Sequence, residues 1–242
     1  MSNPLRILLF SLGLLIMPGL ASFSFSAEPA KELEAKVVRL QKKYQQLQSL
    51  EFDFSQSTQT SGRIKQGSGN AVFYRPAAQA GAPLPAGNGI MRWNYIEPTV
   101  QTIINDGKEL SLYTPQDKQL IVSPARDMES DITYAIFTGT KKLQDEFEVA
   151  PPDKLFLLND PPAGVEAVLL TPRQPHPQLK RIQLWLNSDL TIHRLLMEDH
   201  FGALTELTFT RVRFNTLPAS DPKLLQSLLQ LDLAPGTETI RQ

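Results

Sequence analysis

Two stretches decide the reading of this chain: residues 67–76, GSGNAVFYRP, and residues 91–113, MRWNYIEPTVQTIINDGKELSLY. Side chains alternate across a strand, so Ala71, Phe73 and Arg75 share one face while Val72 and Tyr74 share the other. Met91, Trp93 and Tyr95 alternate in the same way with Arg92 and Asn94, and Pro98 ends that strand. Val100 to Asn105 and Lys108 to Tyr113, the latter carrying Leu112, flank Asp106-Gly107, a strong hairpin signal. Together these segments predict one wall of an apolar β-sheet with a single cation, Arg75, set into it.

Upstream, Glu28 to Leu50 reads as a helix, because Leu33, Val37, Leu40, Tyr44 and Leu47 form one apolar stripe opposite Lys, Gln and Glu. From Phe52 and Phe54 onward the period becomes two. Gln119 to Ser123 adds a strand, and Met128, Ile132, Ala135 and Ile136 place a short helix over Asp127 to Thr138, stopped by Gly139. Strands are predicted at Phe147 to Ala150, Lys154 to Leu158, Val165 to Thr171, Leu179 to Leu186, Leu190 to Glu198 and Ala203 to Phe214. Leu224 to Leu231 reads as a late helix before a polar tail. Ala77 to Gly89, AAQAGAPLPAGNG, has neither periodicity and reads as a loop inserted between two strands. The fold class is mainly β with helices (α+β): a strongly curved antiparallel sheet covered by helices.

The first residues read as a secretory signal. Arg6 precedes an apolar core, Ile7 to Met17, far short of the ~20 residues a membrane-spanning helix needs. Small residues from Ala21 to Ala27 allow cleavage anywhere in that window, leaving residues 28–242 as a single exported domain. The chain has no cysteine, which excludes both disulfides and a lipid-modified amino-terminal cysteine. A formal net charge of −1 and the lack of a basic stripe argue against nucleic acid as a partner.

Chemistry is poorly supported. His176 sits between prolines in a loop, and His193 and His200 are separated by an odd number of residues, which on one strand points them to opposite faces. Gly67-Ser68-Gly69 lacks the Lys and helix of a phosphate loop, and Asp145, Glu146 and Glu148 read as a solvated face. No catalytic residue, metal or cofactor is expected. Arg75 stands apart. On a concave apolar face its guanidinium needs acceptors such as helix C-terminal carbonyls or a ligand's ester oxygens; on an edge it reaches solvent instead.

The run GSGNAVFYRP, then MRWNY-EP, then IINDGKELSLYTP, preceded by Leu50 to Gln56, resembles the outer-membrane lipoprotein carrier family, LolA. The resemblance extends over roughly residues 30 to 240 and is carried by Phe52 to Tyr113. It implies an incomplete β-barrel with helices as a lid over an apolar cavity for lipoprotein acyl chains. It further implies a soluble periplasmic monomer that takes lipid-modified cargo from an inner-membrane ABC exporter to an outer-membrane receptor. Arg75 takes the position of the family's lid-holding arginine, and Met91 that of a cavity-edge aromatic. Phe73, Trp93, Tyr95, Leu112, Ile132 and Ile136 are the expected cavity and lid residues. The insertion at 77–89 departs from the family pattern beside the expected cavity mouth. A carrier of small lipids or glycolipids, or an envelope sensor, on the same scaffold is the alternative.

Overall fold

The structure, a computed structural model, describes residues 27–76, 89–128, 131–139, 142–156 and 162–242. The expected signal segment and almost all of the expected 77–89 loop lie outside the described residues. Among the described residues, α1 (Ala27–Gln45) precedes the hairpin β1 (Ser49–Thr60) and β2 (Arg63–Tyr74). A meander follows: β3 (Ile90–Glu97), β4 (Gln101–Asn105), β5 (Glu109–Thr114) and β6 (Gln119–Pro124). Helices α2 (Ile132–Thr138) and α3 (Leu143–Glu146) lead into β7 (Phe147–Ala150), β8 (Glu166–Pro172), β9 (Arg181–Leu186), β10 (Ile192–Glu198) and β11 (Leu204–Phe214). The chain ends with α4 (Pro222–Leu229) and β12 (Glu238–Arg241).

All strands join one sheet in the order β12-β6-β5-β4-β3-β2-β1-β11-β10-β9-β8-β7, so the curved sheet remains open between β12 and β7. Every pairing is antiparallel except that of β12 with β6. The long β1–β2 hairpin holds the centre, and its glycine motif has a steric reason. A Cβ on Gly69 would stand 1.8 Å from the Asn94 carbonyl oxygen and 2.9 Å from the Phe54 ring, so β2 and β3 approach there only without a side chain. The Asp106-Gly107 turn forms as its sequence predicts, with Asp106 Oδ1 accepting from the amides of Lys108 and Glu109, both at 2.7 Å.

Register assigns the two faces. Phe73 opposes Met91, Ala71 opposes Trp93, and Trp93 opposes Ile103, all on the inner face. Val72, Tyr74 and Ile90 turn outward, where α4 covers Tyr74 and Ile90 with Leu228. The inner face carries the main core, into which α1 presses Val37, Leu40 and Tyr44, the middle of its predicted stripe.

Four expectations need correction. Helix α1 stops at Gln45 rather than running to Leu50, because the amides of Gln48 and Ser49 bond to Asn215 Oδ1 at 2.8 and 3.3 Å instead of continuing the helical ladder. The middle helix begins at Ile132, where Asp131 caps it through Tyr134 N; Ala125–Met128 is a separate 3₁₀ turn. Lys154–Phe156 is also a 3₁₀ turn rather than a strand, started by Asp153 Oδ1 accepting from Leu155 N, and 157–158 lie outside the described residues. The polar tail contains β12, whose pairing partner is distant in sequence and leaves no local signal.

Candidate functional site

Helix α2 is the unusual element. All seven of its residues are buried, so it lies inside the curve of the sheet rather than upon it. Phe137 is its centre, with ring centroids 5.0 Å from Phe52, 5.1 Å from Phe209, 5.5 Å from Phe73 and 5.9 Å from Tyr44. Ile132 and Ile136 join the same cluster, which also holds Phe73, Met91 and Trp93. A short helix has little stability of its own, so its conformation depends on this packing.

Arg75 closes the arrangement from one end. Its Nη1 donates to the carbonyls of Tyr44 at 3.3 Å, Gln45 at 2.8 Å and Leu47 at 3.0 Å, and its Nη2 donates to Thr138 O. Helix α1 ends at Gln45 and α2 at Thr138, so one guanidinium donates to C-terminal carbonyls of both helices. Burial pulls its pKa below the ordinary arginine value, and the Tyr134 hydroxyl acts in the opposite sense; it stays charged nonetheless. Gln45 Nε2 adds a bond to Gly139 O at 2.9 Å, tying the helix ends directly. Gly139 is required there: its φ is +61°, and a Cβ would come within 2.6 Å of Gln45 Cγ and 3.0 Å of Gln45 N.

At the opposite, N-terminal end of α2 the interior is not filled. A cavity of about 220 Å³ lies between that end and the inner sheet, lined by residues including Gln56, Trp93, Tyr95, Ile103, Asp131 and Met197. Tyr95 donates its hydroxyl to Gln56 Oε1 at 2.8 Å. Burial raises the pKa of Asp131, opposed by bonds from the amides of Tyr134 and Thr133 and by His176.

The sequence-predicted residues therefore converge, with one exception. Tyr95 packs against the core cluster from its margin, whereas Leu112 stays half-buried and outside it. Leu112 does share the inner face with Ile103 and Ile121, but β5 lies near the open β12 edge, away from the strands that α2 fills. Sequence reading missed Phe137, although it continues the Ile132–Ile136 run, and missed Gln45 and Gly139 as the coupling between the helices.

A family model described as outer membrane lipoprotein carrier protein LolA matches residues 45–222, which span the central strands, Arg75 and α2. This chain belongs to the LolA family. An outer-membrane lipoprotein carrier protein of Bordetella avium is 27% identical over 212 residues, covering 86% of this chain and 87% of that protein. One of Pseudomonas syringae pv. tomato is 22% identical over 224 residues, covering 91% and 95%. The crystal structure of the LolA superfamily protein NE2245 from Nitrosomonas europaea aligns with a TM-score of 0.39 at 13% identity, over 77% of this chain and 95% of that one. Arg75 and the aromatic strand quoted at the outset lie within the matched LolA region.

Proposed function

We propose that this protein is a periplasmic carrier that shelters the acyl chains of lipid-modified proteins between the two membranes, with no catalytic step. Its first ~27 residues are the export signal, removed to leave one soluble, monomeric domain. Cargo arrives from an inner-membrane ABC exporter and leaves to an outer-membrane receptor. The observation that carries this reading is α2 buried within an open apolar sheet and tied by Arg75 to α1.

Magnitudes make the arrangement workable. Sheltering about fifteen methylenes is worth roughly 12 kcal/mol at ~0.8 kcal/mol each. Burying Ile132, Tyr134, Ile136 and Phe137 is worth roughly 6–12 kcal/mol at ~1.5–3 kcal/mol each. The helix thus occupies the interior about as favourably as one acyl chain does, and cargo exchanges with it near parity. The Arg75 bonds, at ~1.5–3 kcal/mol for each charge-assisted contact, favour the closed, unloaded form. Release therefore has a driving force that a rigid greasy pocket lacks.

Mass spectrometry of material bound to the protein taken from the periplasm tests this directly. Lipopeptides with intact acyl chains are expected. Small lipids alone would favour the small-lipid carrier, and a bare protein whose depletion leaves lipoproteins correctly distributed would overturn the reading.

A further inference from the structure

We propose that the adjacent tips of the β1–β2 and β10–β11 hairpins, which carry Ile64 between Arg63 and Lys65 and, next to it, Phe201, form a contact surface for an anionic lipid bilayer. The proposal goes beyond the carrier reading, since it concerns the outside of the sheet and not what the interior holds. Among the described large apolar side chains Phe201, 95% exposed, is the one most open to solvent, and Ile64 is 63% exposed. Register sets the two turns side by side. Gln59 pairs with Leu204 and Thr60 with Arg63, so both turns lie at the same end of the sheet. Beyond the last β2–β3 pair, Ser68 with Glu97, residues 63–67 pair with β1 alone. Five residues of strand carry that tip roughly 16 Å past the pair.

The turn beneath Phe201 holds its side chain out in water. Asp199 Oδ1 accepts from the amides of Phe201 and Ala203, both at 2.8 Å, and the Asp199 amide donates to Ala203 O at 3.0 Å. His200 Nε2 donates to His176 O at 2.8 Å, which anchors the turn to the segment before β9. An apolar group already fixed in place loses little freedom when it inserts. The other tip supplies charge. No Asp or Glu occurs between Asp53 and Glu97, so Arg63 and Lys65 have no acid near them on their own hairpin. Both are exposed, and neither joins an ion pair among the described residues. A stable protein interface needs a continuous surface of about 1,000 Å² or more, whereas these apolar side chains stand singly on separate turns. A bilayer demands no matching shape: the apolar tips enter its interface while the cations meet anionic headgroups. Two side chains and two charges make a weak contact, as a carrier that must leave again requires. The contact turns towards the bilayer the end of the sheet where Gln56, Met197 and Thr205 line the cavity.

Flotation of the purified protein with vesicles of phosphatidylglycerol and phosphatidylethanolamine, and separately of phosphatidylcholine alone, tests this. The protein is expected to float with the anionic vesicles, to lose that association at high salt and to ignore the neutral ones. Ile64→Ser and Phe201→Ser should each weaken the association about tenfold, and Arg63→Gln and Lys65→Gln about fivefold each. Val38→Ser, at a position 42% exposed on α1, should leave it unchanged. All five positions are exposed, so folding is not at stake. The chain has no cysteine, so a lone Thr60→Cys can carry an environment-sensitive fluorophore, whose emission should shift to the blue on the anionic vesicles. A protein that floats with neither vesicle, or flotation unchanged in both Ile64→Ser and Phe201→Ser, overturns the proposal. Variants that slow cargo transfer while leaving vesicle flotation at the wild-type level overturn it too, and assign the tips to a protein partner. Flotation as expected with no acyl cargo recovered from the periplasm removes the carrier reading and leaves the contact standing, so the two fail separately.

Discussion

Two arginines from neighbouring strands do the same chemical job on opposite faces of the sheet. Arg75, one residue past β2, receives the C-terminal carbonyls of α1 and α2 on the inner face. Arg92, within β3, donates to Leu228 O at 3.1 Å and Gln230 O at 2.7 Å, closing the C-terminal end of α4 on the outer face. Its Nε is steadied by Asn94 Oδ1 at 3.1 Å. What differs is the surface beneath each helix. Under α4 lies a small cluster of Tyr74, Ile90 and Leu228, and Leu228 is the one buried residue of that helix. Under α2 lies the whole interior, and every residue of α2 is buried. An arginine clasp over a shallow patch straps a helix down; the same clasp over a deep apolar basin sets how readily that basin opens.

The largest expected effect comes from removing the inner clasp. Arg75→Leu removes the donor that the carbonyls of Tyr44, Gln45, Leu47 and Thr138 share, and the closed form should lose at least ~1.4 kcal/mol, a tenfold change in population. Loaded protein should then surrender lipopeptide at least tenfold more slowly in a transfer assay to acceptor vesicles, because closure no longer competes with cargo. Unloading at the wild-type rate would show that Arg75 is structural only, like Arg92.

Gly139→Ala attacks the same closure from the backbone. The αL conformation costs a residue with a Cβ roughly 1–2 kcal/mol, and the new carbon collides with Gln45 at the point where α1 and α2 meet. Hydrogen exchange of the α2 amides should rise about tenfold, with the outer amides of α4 unaffected. A uniform rise across both helices would mean that α2 does not open separately from the rest of the fold.

Arg92→Ala should do less, and should do it elsewhere. Two charge-assisted bonds to α4 are lost at a half-exposed site, so a destabilisation of about 1–2 kcal/mol confined to α4 is expected. Cargo exchange should stay at the wild-type rate. Should exchange change as strongly as in Arg75→Leu, the division into strap and gate would be wrong.

The strands were legible because period-two alternation is local: spacing alone puts Phe73 with Arg75 on one face of their strand and Met91 with Trp93 on one face of theirs, whereas the register that turns both sets inward is set by pairing between strands. The α1 stripe was equally legible, but its end was not, since it is set by the Asn215 side chain, which captures the amides of Gln48 and Ser49 from far along the sequence. For the same reason β12 was invisible: a polar four-residue segment becomes a strand by pairing with β6. At the site, the residue types were readable and the couplings were not. Nothing in the order of Gln45, Arg75 and Thr138-Gly139 announces that three distant segments share one set of carbonyls. The resemblance supplied a role for Arg75; the geometry supplied the carbonyls of Tyr44, Gln45, Leu47 and Thr138 that it meets.

The smallest effect concerns the other end of α2. Asp131 caps that helix by accepting from Tyr134 N at 2.8 Å, yet burial raises its pKa. A carboxyl whose folded pKa lies above its unfolded value binds its proton more tightly when folded. Its contribution is therefore full at low pH and is lost as pH rises from the ordinary carboxylate range through the raised value. At neutral pH the charged cap holds α2 less well than a neutral one of the same shape. Asp131→Asn preserves capping, since Asn is as good an N-cap as Asp, and removes the charge. The Asp131 side chain is open to solvent, which screens the effect, so the variant's melting temperature at pH 7 should equal or slightly exceed that of the wild type. The gain should shrink as pH falls towards 4. A loss of stability at pH 7 that disappears at low pH would reverse the sign and show the carboxylate to be favourable there, stabilised by the helix N-terminus and His176 more than burial penalises it.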